Sequence, residues 1–309
     1  MSAVEFSAHE EQTLLRREEK SQNELVEIDA ERFRANFNRN PFIIKHSLAH
    51  HPLFSLPRLV ELSNILPPQH VIYHSGEIPP ATTLYTGAPR NGLSSEETIR
   101  QIEECQSWMV LRYVERDPDY RELIDRVLDE VEVYTEPLYP GMIQRQGFIF
   151  ITSPLAVTPW HTDPEFSFLF QIRGEKTLKI VSPSPLSERE LEEYFADLRN
   201  PSFKEEYCET ASTYALSGGE ALHFPLTVPH WVHNGNAVSI SISITFQTYD
   251  SDRRTLIYKT NNYMRKKGLK PSPYGQSYIR DSAKFYAFRL TRRAMKILGR
   301  SGEETRQTY

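Results

Sequence analysis

Val238-Ser239-Ile240-Ser241-Ile242-Ser243-Ile244-Thr245-Phe246 alternates without interruption between large apolar and small hydroxyl side chains. Successive side chains of a strand point to opposite faces. The pattern therefore predicts a strand that buries Val238, Ile240, Ile242, Ile244 and Phe246 on one side and turns its hydroxyls towards something polar or small on the other. Outward from it, residues 148–151, 166–172 and 177–181 read as further strands, punctuated by Pro and Gly. Short strands between turns point to an antiparallel sandwich or jelly roll, with a helical insert over 186–198.

The flanks change period. Residues 1–140 read mainly as helix, over 30–37, 57–65, 94–108 and 117–132; the third is opened by the N-cap signal Ser94-Ser95-Glu96-Glu97 and the fourth by Asp117-Pro118. Three parts result: a helical N-terminal elaboration packed on the core (1–140), the core itself (141–250) and a basic helical segment (251–309). From 251 to 300 there are 14 basic and two acidic residues, against 21 and 37 over 1–250, so the net charge of -5 conceals a polarised chain. The last predicted helix, 281–298, sets Phe285, Phe288, Met295 and Leu298 near one face, with Lys284, Arg289, Arg292, Arg293 and Lys296 over the rest. Such a basic amphipathic helix suits an anionic partner, a membrane surface or a second subunit in a homodimer.

Composition excludes other classes. The 309 residues, 39% hydrophobic, suffice for a large core, and no apolar run approaches the roughly 20 residues of a membrane-spanning helix. Residues 1–27 contain no apolar signal region, which predicts a cytoplasmic protein with peripheral membrane association through 281–300 as the variant. Cys105 and Cys208 have neither disulfide-framework nor zinc spacing and read as core residues.

Chemistry concentrates in Trp160-His161-Thr162-Asp163-Pro164. An imidazole and a carboxylate at i and i+2 of an extended segment share a face and offer two metal ligands. Pro229-His230-Trp231-Val232-His233, just before the alternating strand, offers two candidates for a third. Two imidazoles and one carboxylate leave part of an ion's coordination sphere open for substrate or dioxygen. Beyond Asp163, a strand, the turn Arg173-Gly174-Glu175 and a returning strand bring Lys176 back towards the metal end of a hairpin, where its ammonium can hold a dicarboxylate.

The region from about 147 to 248 resembles the JmjC and cupin-like Fe(II)/2-oxoglutarate-dependent oxygenases, particularly their protein hydroxylase branch. In that branch a lysine follows the Asp of the H-x-D pair by thirteen residues, in the context found here as Gln171-Ile172-Arg173-Gly174-Glu175-Lys176. The distal histidine follows a Pro by five residues, as in Phe224-Pro225-Leu226-Thr227-Val228-Pro229-His230, which selects His230 over His233. The resemblance implies an α+β protein with a mainly β core, a double-stranded β-helix (jelly roll or cupin) elaborated by helices at both ends. It implies Fe(II) held by His161, Asp163 and His230, and 2-oxoglutarate held by Lys176, with Thr158 and Thr245 beside it. It further implies that 2-oxoglutarate and dioxygen yield succinate and carbon dioxide while an unactivated C–H bond, most naturally of a peptide or protein side chain, is hydroxylated.

Two other readings share the fold. One keeps the chemistry but acts on an anionic lipid, glycolipid or small metabolite at a membrane surface. The other is a cupin-like binding or regulatory module without catalysis, which predicts no 2-oxoglutarate turnover even with iron and ascorbate and would gain if the two histidines and the aspartate lay too far apart to share an ion. Trp160, Tyr214 and His233 read as packing residues.

Overall fold

A computed structural model describes residues 24–76, 91–197 and 200–297. Eight strands form the larger sheet: β1 (Val26–Glu27), β2 (Phe42–His46), β3 (Val71–Ser75), β4 (Ser107–Arg112), β5 (Met142–Thr152), β7 (Phe166–Arg173), β10 (Glu220–His223) and β12 (Ser239–Thr248), in the order β1-β2-β10-β7-β12-β5-β4-β3. Four more, β6 (Val157–His161), β8 (Glu175–Ile180), β9 (Ser212–Ser217) and β11 (His230–Asn234), form the second sheet in the order β6-β11-β8-β9. All pairings are antiparallel. From β5 to β12 the chain passes repeatedly between the sheets and places four strands in each, the pattern of a jelly roll.

The alternating strand acts as its sequence predicts. Ile240, Ile242, Ile244 and Phe246 join the main hydrophobic core on the outer face of the larger sheet. There they meet the helices α1 (Ala30–Asn36), α2 (Leu56–Ile65) and α4 (Pro118–Thr135) through Phe33, Leu59, Leu62, Ile124, Val127 and Val131. Between α2 and α4 lies the short α3 (Ser95–Arg100). Gly147 lets α4 lie close on β5, since a Cβ there would stand 2.5 Å from Ile124 Cδ1. The hydroxyl side of β12 faces inward: Ser243 and Thr245 line the space between the sheets.

Besides helices, the described residues of 1–140 contain four strands that the sequence did not announce, β1 to β4, which extend the larger sheet at both edges. The segment predicted as one helix over 94–108 stops at Arg100; the chain turns at Gln106, in the left-handed region at φ 45°, and continues as β4. Trp108 therefore stands on a strand. The helical insert is α5 (Glu188–Asp197), its predicted end at Leu198 falling outside the described residues, and the short α6 (Glu206–Thr210) follows. Cys208 on α6 is exposed, contrary to its reading as a core residue, and Cys105 is half-buried.

Two helices follow β12, α7 (Tyr249–Lys266) and α8 (Tyr278–Ile297). The predicted amphipathic split of α8 is not the one observed. Lys284, assigned to the solvated face, is buried because its ammonium donates to Ser272 O at 2.6 Å, while Ile279, Tyr286 and Leu290 face outward. Leu298 and the side chains of Met295 and Lys296 lie outside the described residues. Among the described residues no helix is long and apolar enough to cross a membrane.

Candidate metal centre and its cavity

β6 and β11 are neighbours, and His161 and His230 are partners across them. Their rings lie 4.1 Å apart between centroids. A regular strand would turn Thr158 and His161, three residues apart, to opposite faces. The register is irregular between the His230 and Val232 pairs, so both Thr158 and His161 line the cavity while Trp160 turns outward to stack on Tyr207 against Trp231. Irregularities of this kind re-aim side chains beside sites. Strand parity also chooses between the two late histidines: His230 and Val232 face the cavity, and His233 lies on the opposite side of β11.

Asp163 stands two residues beyond the end of β6. Its loop is fixed at two points, where Tyr194 Oη donates to Thr162 O at 2.6 Å and Thr227 N donates to Asp163 O at 3.1 Å. One carboxylate oxygen lies 3.7 Å from His161 Nε2 and the other 4.0 Å from His230 Nε2. One ligand atom from each of the three residues lies within 4.8 Å of the others, a cluster able to hold a single metal ion once its side chains draw in to bonds of about 2.1 Å.

The tautomers follow from the backbone. His161 Nδ1 lies 2.7 Å from Pro159 O and His230 Nδ1 lies 3.1 Å from Val228 O. A carbonyl only accepts, so each Nδ1 carries the proton and each Nε2 presents a lone pair towards Asp163. Burial, reinforced by the His230 ring, pushes the His161 imidazolium down to about 4, which keeps that ring neutral near pH 7. Two imidazole nitrogens and one carboxylate fit a divalent ion such as Fe(II).

Lys176 reaches the same cavity by a route the sequence does not suggest. β7 and β8 form no hairpin. β7 pairs with β10 and β12, β8 with β11 and β9, and the turn at Gly174 carries the chain from one sheet to the other. Gly174 has φ 74°, and a Cβ there would stand 2.4 Å from Val238 O. On β8, Ile180 lies opposite His230 and Lys176 opposite Asn234, so the lysine sits at the far end of the cavity rather than at the metal end.

There Lys176 is buried, donates to Ser241 Oγ at 2.6 Å and lies 5.3 Å above the Phe150 ring. It forms no ion pair among the described residues, and burial alone pushes its ammonium down to about 7. A buried cation beside a hydroxyl, without a counter-ion, is costly and attracts an anion. Thr245 Oγ1, also buried and lining the cavity, has no hydrogen-bond partner. Thr158 Oγ1 accepts from Trp108 Nε1 at 2.9 Å, which leaves its own proton to donate. Phe148, Phe150, Leu169 and Phe224 supply apolar walls.

All six residues singled out from the sequence thus meet at one cavity: His161, Asp163, His230, Lys176, Thr158 and Thr245. The reading missed Trp108, because it was placed at a helix end, and Ser241, although the alternating hydroxyl row had marked its face. Trp160 packs as expected. The separation of the triad that would favour a non-catalytic module is not found.

No known family profile matches the chain, and no curated protein matches it. Among solved structures, the chain is similar to the Escherichia coli ribosomal oxygenase YcfD, with 13% identity over 87% of this chain and 68% of that one and a TM-score of 0.49. A structure of YcfD in complex with cobalt and 2-oxoglutarate gives 13% identity over 86% and 67% of the two chains, with a TM-score of 0.47. The jelly-roll assignment rests on the chain's own sheet order.

Proposed function

We infer that this chain is an Fe(II)- and 2-oxoglutarate-dependent oxygenase that hydroxylates an unactivated C–H bond. The observation that carries the reading is the pairing, in one cavity, of an ion-sized cluster formed by His161, Asp163 and His230 with a buried lysine that has no counter-ion among the described residues, at the opposite end. Iron with 2-oxoglutarate and dioxygen would supply the oxidising chemistry.

The chain's own groups have separable tasks. His161 and His230 present fixed nitrogen lone pairs, because their other nitrogens are tied to carbonyls. Lys176 and Ser241 hold the remote carboxylate of the diacid, and Thr158, oriented by Trp108, donates a hydrogen bond into the cavity. The aromatic walls keep water from the reacting centre. A peptide or protein side chain is the substrate class favoured by the Gln171-to-Lys176 context, which resembles the protein hydroxylase branch.

Anaerobic addition of Fe(II) and 2-oxoglutarate, followed by visible difference spectroscopy, tests the cofactor pair before any substrate is known. A weak charge-transfer band is expected in the wild type and not in Asp163→Ala. Its absence from the wild type overturns the reading.

A further inference from the structure

α8 buries one ion pair and turns apolar surface outward. Asp281 and Lys284 are buried, whereas Ile279 is 81%, Tyr286 62% and Leu290 67% exposed. These three stand at i, i+7 and i+11, with Ala283 between them, and form one row along the helix about 17 Å long. Tyr278, 75% exposed, lies at its start.

The edges of the row are uniformly basic. Arg280, Arg289 and Arg293 are all exposed, and the acidic residue of the helix, Asp281, is buried. Burying this row against a second copy would bring arginine edges together with no carboxylate on the exposed face of α8 to offset them. An anionic occupant is favoured instead.

The side-chain mixture narrows the occupant further. Tyrosine and arginine bury their apolar parts while keeping polar tips among headgroups, and single aliphatic side chains enter the acyl boundary. We propose that α8 docks the protein on an anionic lipid bilayer, with Ile279, Tyr286 and Leu290 inserted shallowly and the arginines on phosphates.

Co-sedimentation of the full chain with vesicles of phosphatidylcholine, alone or with about a third phosphatidylglycerol, tests this. Binding is expected to the anionic vesicles at low salt, with release at high salt and little binding to phosphatidylcholine alone. Arg289→Glu with Arg293→Glu is expected to cut partitioning about 25-fold or more, at roughly fivefold per residue. Ile279→Ser with Leu290→Ser is expected to weaken it as well, with unchanged circular dichroism and Tm in both variants. No binding at low salt, equal binding by the variants, or equal binding to phosphatidylcholine alone overturns the proposal. So does a dimer in sedimentation velocity that Leu290→Ser dissociates without any vesicle binding, which would assign the row to a second copy.

Discussion

Lys176 Nζ, on the smaller sheet, donates to Ser241 Oγ on the larger one at 2.6 Å, inside the cavity that also holds the imidazoles. This bond crosses the gap between the layers. Removing the charge by Lys176→Met should raise the Kd for 2-oxoglutarate about 30- to 1000-fold, since loss of a buried charged partner costs roughly 2–4 kcal/mol. Metal affinity should change little. Anaerobic titration with 2-oxoglutarate at saturating Fe(II), and a separate titration with Mn(II), check the two halves.

The same lysine sets a pH dependence. Its folded value is about 7, and an unfolded lysine titrates near about 10.4. Between these values the unfolded chain binds more protons, so the ligand-free protein gains stability as pH rises through that window. The bound diacid reverses the requirement by favouring the ammonium. Its binding should take up a proton above pH 7, and its affinity should fall by up to about tenfold per pH unit. Calorimetry in two buffers of different ionisation heat, with Lys176→Met as the flat control, measures both effects.

Because Nε2 of both imidazoles and the Asp163 carboxylate already face one point, metal should stabilise the fold by mass action. At a hundredfold excess over Kd the gain is about 2.7 kcal/mol, which is several degrees in Tm. Differential scanning fluorimetry with Mn(II) should show that shift in the wild type, reversal by a chelator, and no shift in Asp163→Ala.

Trp108 and Thr158 should behave as one unit. Trp108→Phe and Thr158→Val each remove the same buried hydrogen bond, at a cost of about 0.5–1.5 kcal/mol apiece. Urea denaturation of the double variant should show less than the sum, because the second change leaves no further polar group stranded.

Several parts of the site were legible in the chain for physical reasons. The hydroxyl row of β12 declared its two faces because a period of two has only one structural meaning. His161 and Asp163 declared themselves by type and spacing. What escaped depended on tertiary placement. A glycine turn between two apolar runs reads as a hairpin, and nothing local says that Gly174 instead carries the chain to another sheet. Trp108 was hidden because the strong N-cap at Ser94 has no Gly or Pro to stop its helix; the turn falls at Gln106, a residue that rarely adopts positive φ. The strands β1 to β4 have two to six residues each, too few for alternation to stand out from the helices around them. On α8, Lys284 is held by Ser272, through its carbonyl and hydroxyl, and by Asp281 one turn back; only the Asp281 pair has a spacing that sequence could show, and the contact to Ser272 depends on tertiary placement.

The position of Lys176 on its strand has a bearing on which keto acid the pocket accepts. Ile180 lies opposite His230, and Lys176 is four residues away along β8, about 13 Å of strand. That interval is a ruler written in backbone: the backbone offset of Lys176 from His230 changes only if β8 slips along β11, and by two residues if the lysine is to keep its face. On the proposed function, preference among four-, five- and six-carbon diacids would follow from the sheet itself, and point substitutions on the walls would alter the fit around the molecule while leaving that register unchanged.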